Sequence, residues 1–274
     1  MNTNTARQII NSLFSLIVLL LCFSQAQAII IRHDKADSGY VVDDREFPQL
    51  FFLHTRFGNK VCVATLISED WAITAGHCTE QTPIQETIRQ GNDYPLTIAG
   101  QSYTVSELIV HPAFRHPQQR QAVDLALIRL DRAVEGVVPV ALNSELNEKD
   151  QILSLIGWGY TGEGTRGLAS NDGKLRRAQN SVMFAGKWLE FVFDDPRALN
   201  SPALPLEGVP GLGDSGGPAL LETPEGLFLL GVALGEIDNP AENDQGRYGA
   251  VSLYERISTH YSWIMQVIAA DSGI

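Results

Sequence analysis

Apolar and β-branched residues cluster in short runs along the chain, at 50–53, 61–67, 71–74, 103–110, 125–130, 152–156, 187–193, 219–221, 227–232 and 249–253, with Gly, Asn, Asp and Pro between them. Strands punctuated by turn residues at this spacing read as an all-β sandwich or barrel rather than as the alternating strands and helices of a parallel sheet. The period changes near the end. Over 254–268, Ile257, Tyr261, Ile264 and Val267 or Ile268 fall on one helical face, an apolar stripe that predicts packing against the β structure. The polar stretch 142–150 is the expected join between two halves, 29–145 and 146–274.

The first residues follow a different pattern. Residues 1–28 carry Arg7 and no acid, an apolar run over 13–22, and small residues Ala26 and Ala28. This layout predicts a cleavable secretory signal peptide, the run being short for a membrane span. Cleavage near Ala28 would leave a secreted or periplasmic protein. The other readings are an uncleaved anchor and a lipoprotein, but lipidation would want a small residue before Cys22, and Leu21 stands there.

Composition narrows the class. With 274 residues, 44% of them hydrophobic, the chain has ample material for a core, which excludes disordered and fibrous classes. Removal of the signal takes Cys22 with it and leaves Cys62 and Cys78, which pair readily in an oxidising compartment. A metal site at His77 and Cys78 is the rival reading, but two further ligands at usable spacing are not evident, so no metal is expected. The net charge of −12 becomes −13 once Arg7 leaves, which argues against nucleic acid or an anionic membrane as partner.

The chemistry concentrates in GLGDSGGPAL at 211–220, where four glycines and a proline surround one acid and one serine. Glycine weakens ordinary strands and helices, so the cluster predicts a backbone held in an unusual shape. A serine hydroxyl becomes a useful nucleophile only beside a base, with a third group to orient that base and backbone donors for the oxyanion. WAITAGHC at 71–78 ends an apolar run at His77, and AVDLALIRL at 122–130 places Asp124 at the head of another.

These three stretches resemble the motifs of chymotrypsin-like serine proteases, the trypsin superfamily, in the same chain order of His, Asp and Ser. EFP at 46–48, HPAF at 111–114, GWG at 157–159 and YSWI at 261–264 are similar landmarks, and the resemblance spans residues 36–268. It implies two packed six-stranded antiparallel β-barrels with a C-terminal α-helix, the first barrel carrying His77 and Asp124 and the second Ser215. It further implies a serine endopeptidase that needs no cofactor and acts on a protein or peptide substrate; a monomer is the default expectation, since nothing in the sequence shows an interface, and no stable membrane partner is expected. In that scheme Ser215 attacks the scissile carbonyl, His77 takes and returns the proton, Asp124 orients His77, and the N–H groups of Gly213 and Ser215 form the oxyanion hole. His111 reads as a loop residue packed beside its proline, and Trp71, Trp158 and Trp263 as core or seam aromatics. His33, His54, His116 and His260 have no motif context.

Two departures from the family pattern bear on function. The Ile-Val-Gly-Gly start, whose amine pairs with the acid before the serine, is absent, although Asp214 is present. Either Ile29, exposed by signal cleavage, or a start near Ala36 after Lys35 would replace it. The position expected at the base of the specificity pocket is Val209, with walls from Ala233, Leu234, Gly235 and the region of Gly249. A neutral base favours apolar or small side chains over Arg and Lys. A catalytically silent homologue acting as a binding protein is the alternative. An α/β-sheet esterase would also fit GxSxG at 213–217, but that fold places its acid and histidine after the serine.

Overall fold

A computed structural model of the chain describes residues 29–114, 122–237 and 245–271. The expected signal segment and His116 lie outside them. The first described residues form β1 (Ile30–Ile31). Six strands follow: β2 (Leu50–His54), β3 (Lys60–Leu66), β4 (Trp71–Thr74), β5 (Pro95–Ile98), β6 (Gln101–Val110) and β7 (Ala126–Leu130). They make an antiparallel sheet in the order β2-β3-β4-β7-β6-β5, and β2 comes back against β5. Two short helices, α1 (Cys78–Gln81) and α2 (Ile84–Arg89), fill the connection between β4 and β5.

β8 (Ala141–Leu142) precedes the expected boundary at 145/146 but joins the sheet of the second half, which itself holds β9 (Ile152–Gly157), β10 (Thr161–Glu163), β11 (Gly167–Ser170), β12 (Arg176–Ser181), β13 (Phe184–Ala185), β14 (Trp188–Val192), β15 (Gly208–Val209), β16 (Pro218–Thr223), β17 (Gly226–Glu236) and β18 (Val251–Arg256), and closes with α3 (Ile257–Asp271). That half's main sheet runs β12-β9-β16-β17-β18-β14-β13, with β8 added on β17. The result is the two barrel-like sheets and terminal helix expected from the sequence. The second sheet differs from a plain six-stranded antiparallel barrel, because the two-residue strands β13 and β8 extend it and β8 pairs parallel. A third, small sheet has the order β11-β10-β1-β15. Through it the first described residues are built into the second half, with β1 parallel to β10 and antiparallel to β15.

Burial explains which runs became which strands. WAIT in β4 is buried throughout and β3 is buried from Cys62 to Leu66, because these strands face packed structure on both sides rather than water on one. The largest apolar cluster joins Trp71, Leu127 and Val63 of the first half to Ile156, Val232, Ile257 and Ile264 of the second. The helix α3 starts at Ile257 rather than 254, since 254–256 complete β18 by pairing with β14 and β17. Its Ile264 is buried and Trp263, Val267 and Ile268 pack on the same cluster.

Candidate active site

Strand register brings His77 and Asp124 together. β4 pairs with β7 so that Thr74 lies opposite Ala126; His77 follows Thr74 by three residues and Asp124 precedes Ala126 by two. Both loops therefore meet at one end of the sheet. The backbone N–H of His77 donates to Asp124 Oδ1 at 2.7 Å and the ring Nδ1–H donates to Oδ2 at 2.6 Å. Two bonds to one carboxylate fix both the position and the tautomer of the imidazole, leaving Nε2 as the basic nitrogen.

Ser215 sits in the turn between β15 and β16. Its carbonyl accepts the Val63 N–H of the first half at 2.8 Å, while Gly216 N donates to Ala233 O and Ala233 N to Gly217 O, both at 2.8 Å. Gly213 and Gly216 hold φ of 95° and 76°, the left-handed region that glycine enters without strain. A Cβ on Gly216 would come within 2.3 Å of Val63 O and Thr74 Oγ1, so the turn lies flush against the first half. Among the described residues, the N–H groups of Gly213 and Ser215 donate to no protein acceptor. Ser215 and His77 line one cavity of about 500 Å³. No hydrogen bond joins Ser215 Oγ to His77 among the described residues, and His77 Nε2 lies 3.9 Å from Cys78 Sγ.

Asp214 points the other way, into the protein. It is buried and accepts from Gly159 N at 2.6 Å, Gly211 N at 2.9 Å and Ile29 N at 3.4 Å. Burial pushes its carboxyl up to about 6, against the opposing pull of those N–H donors. Ile29, not Ala36, therefore occupies the place beside Asp214: Ile29 is fully buried, whereas Ala36 is exposed at the head of a short 3-10 turn.

Cys62 and Cys78 are joined in a disulfide. They and His77 would form a cluster of metal-ligating type, but the sulfurs are committed to each other and the bridge instead ties α1, which follows His77, to β3.

The expected pocket residues divide. Ala233, Leu234 and Gly235 line the cavity beside Ser215. Val209 does not; it pairs with Ile30 and is enclosed in a small cluster with Ile30 and Phe193, so the next residue, Pro210, presents to the cavity in its place. Gly249 is likewise outside the lining, its N–H donating to Phe193 O at 2.7 Å. His111 packs edge-on against Trp263 and accepts the Ala113 N–H through Nδ1 at 3.1 Å.

Two acids without a motif also reach the site. Glu255 of β18 is buried behind Asp124, accepting the Asp124 N–H at 2.9 Å and the Trp188 indole N–H at 3.4 Å on one oxygen, with His260 Nε2 at 3.3 Å from the other. Glu236, at the end of β17, lines the cavity itself.

A family model described as Trypsin matches residues 37–264. Among solved structures, one described as HL collagenase at 1.7 Å resolution is 19% identical in sequence, with a TM-score of 0.60 over 86% of this chain and 97% of that one. At that identity the likeness is one of fold.

Proposed function

The chain belongs to the trypsin family, a serine endopeptidase acting on protein or peptide substrates, and on that premise we propose that Ser215, His77 and Asp124 are its catalytic triad. The observation that carries the reading is the pair of hydrogen bonds from His77 to Asp124 on the wall of the cavity that Ser215 also lines. His77 Nε2 takes the Ser215 hydroxyl proton as Oγ bonds to the scissile carbonyl carbon. The oxyanion that forms is received by the N–H groups of Gly213 and Ser215. The same proton then goes to the leaving amine, the C–N bond breaks, and water hydrolyses the acyl-enzyme by the reverse sequence. Asp124 holds the tautomer and stabilises the imidazolium. The serine–histidine bond closes as substrate engages, since such contacts tighten in the complex.

Apolar walls from Ile30, Leu168, Pro210, Leu212 and Ala233 support cleavage after apolar or small side chains. Cleavage after Ala28 is the activating event in this reading, freeing the Ile29 amine at the position where its N–H already meets Asp214. The disulfide and the habit of the family support a secreted or periplasmic location, and the protein works as a monomer.

The test is labelling of the purified protein with a fluorophosphonate, with Ser215→Ala as control and intact mass and N-terminal sequence as readouts. Stoichiometric labelling lost in the variant, on a chain beginning at Ile29, is the expected result. A folded chain beginning at Ile29 that takes no label would instead favour a silent homologue acting as a binding protein, the reading that the unclosed serine–histidine gap leaves open. A peptide library read alongside would retire the apolar preference if Arg and Lys displaced apolar residues at the cleavage site.

A further inference from the structure

The disulfide puts three metal-binding atoms beside the base of the triad. Cys62 of β3 and Cys78, the first residue of α1, are bonded to each other, and His77 Nε2 stands 3.9 Å from Cys78 Sγ. The two sulfurs and a ring nitrogen of His77 all lie within 4.8 Å of one another. Both cysteines are buried, whereas the His77 side chain is 13% exposed and lines the cavity that Ser215 also lines. A small ion therefore has a route to the cluster.

Zinc held tetrahedrally by two thiolates and an imidazole sits about 2.3 Å from sulfur and about 2.0 Å from nitrogen, which puts nitrogen and sulfur roughly 3.6 Å apart and the two sulfurs about 3.8 Å apart. The first of these spans is nearly present already in the separation of Nε2 and Cys78 Sγ; the second needs only that the sulfur–sulfur bond open. The other ring nitrogen is engaged in the way a metal-bound imidazole requires. Nδ1–H donates to Asp124 Oδ2 at 2.6 Å, and such a carboxylate fixes the tautomer of a ligating histidine and strengthens it as a ligand. The backbone under the ligands does not depend on the disulfide alone. β3 is paired with β2 and β4, the Val63 N–H donates to Ser215 O, and α1 is tied back to the segment before it by bonds from Thr79 N to Gly76 O and from Glu80 N to His77 O.

We propose that, once the bond between Cys62 and Cys78 is reduced, their two thiolates and His77 Nε2 form a binding site for zinc, with water from the cavity in the fourth position. The disulfide takes two electrons and two protons from a dithiol, which closes to its own disulfide. The two thiols then release their protons to solvent as the cation binds. The ion occupies the nitrogen lone pair that would take the Ser215 proton, so the same three residues leave the base available when oxidised and block it when reduced and metallated. That consequence rests on the peptidase reading; the metal site does not.

The test uses purified protein carrying Cys22→Ser, so that every thiol comes from Cys62 or Cys78. It is reduced with dithiothreitol, freed of the reagent under argon, and titrated with zinc chloride and with cobalt chloride, with free thiols and circular dichroism measured in parallel. The reduced protein is expected to keep its fold, to bind one zinc ion, and with cobalt to show the sulfur charge-transfer and visible bands of a tetrahedral thiolate site, while the disulfide form binds neither ion. Asp124→Asn is expected to weaken zinc binding about 10- to 100-fold, and His77→Ala about tenfold or more. Equal uptake by the disulfide form, uptake indifferent to His77→Ala, failure of the two thiols to appear, or loss of the fold on reduction overturns the proposal. The cobalt spectrum needs neither site variant, and circular dichroism shows whether each is folded. Fluorophosphonate labelling scores the peptidase reading separately: labelling that zinc silences only after reduction supports both readings, whereas no label in either form retires the peptidase and leaves the zinc titration to decide the site.

Discussion

At the level of single residues the site is held by contacts that leave no slack, and Gly216 is the sharpest instance. Any side chain there meets Val63 O and Thr74 Oγ1 at 2.3 Å, with φ at 76°. Gly58 has a similar φ of 82° with nothing within 4 Å. Gly58→Ala is therefore expected to cost only left-handed strain, about 1 kcal/mol. Gly216→Ala adds a clash with backbone and is expected to cost on the order of 3 kcal/mol or more and to abolish peptide hydrolysis. Urea midpoints of the two variants measure the difference; equal midpoints would mean that the turn yields. Glu255 offers a second case. Glu255→Ala leaves the Asp124 and Trp188 N–H donors buried without an acceptor, each orphan costing about 1–3 kcal/mol. The variant is expected to lower the thermal midpoint and, by loosening Asp124, kcat more than KM, while Glu255→Gln restores an acceptor oxygen and most of both. A Gln variant as impaired as Ala would place the role in the charge rather than in the hydrogen bonds. Ser215, His77, Asp124 and Asp214 stand in recognisable sequence contexts because their neighbours are constrained with them. Glu236 and Glu255 do not, since each is defined only by what the folded chain brings opposite it.

At the scale of elements, the strands that the sequence shows are those whose burial is apolar, and those it hides are buried by other means. β12 reads RRAQNS and has no apolar run, yet alternate residues are buried. Arg176 is enclosed by bidentate bonds to Asp37 and Asp172, and Asn180 donates to Val192 O and Gly208 O. Polar burial of this kind depends on specific partners, Asp37 among them at 139 residues' distance, which periodicity does not see. β1 was hidden for another reason: III at 29–31 followed a segment read as a signal, and its pairing partners lie more than 130 residues on. Its docking makes a pH prediction. With the peptide bond before Ile29 intact, Asp214 is raised from 3.8 to about 6 by burial. A carboxyl raised on folding stabilises the fold fully below its ordinary value and loses that contribution as pH climbs through the raised one, here on the order of 3 kcal/mol between about pH 4 and 6. Cleavage after Ala28 supplies an ammonium in its place, which favours the anion. The thermal midpoint of the uncleaved chain is expected to fall across that window, and that of the chain beginning at Ile29 to hold. Asp214→Asn should flatten the first curve; parallel curves for the two wild-type chains would mean that Ile29 and Asp214 are not coupled.

For the whole molecule, the question is whether two barrel-like sheets amount to two folding units. The sequence invites that division at 142–150, but β8 (Ala141–Leu142), which precedes it, pairs with β17 of the second half, and further contacts cross it. β1 belongs to the second half's small sheet, Val63 holds the Ser215 carbonyl, Glu255 of β18 holds the Asp124 N–H, and Ile257 and Ile264 of α3 are buried in the same cluster as Trp71 and Leu127. A shared core and a site assembled from both sides tie the stability of one half to that of the other, whereas independent domains usually meet through smaller, more polar surfaces. The chain beginning at Ile29 is therefore expected to unfold in urea as one transition, with tryptophan fluorescence, far-UV circular dichroism and loss of peptide hydrolysis superimposing. Trp188 lies within the second half, whereas Trp158 and Trp263 pack across to Phe52 and His111 of the first, so the fluorescence reports on the contact between the halves as well as on each of them. Segments 29–145 and 146–274 expressed apart are expected to stay unfolded, because each would expose its share of the common cluster to water. Two resolved transitions, or a folded isolated half, would show that the division in sequence is also a division in energy, and that catalysis depends on docking two stable bodies.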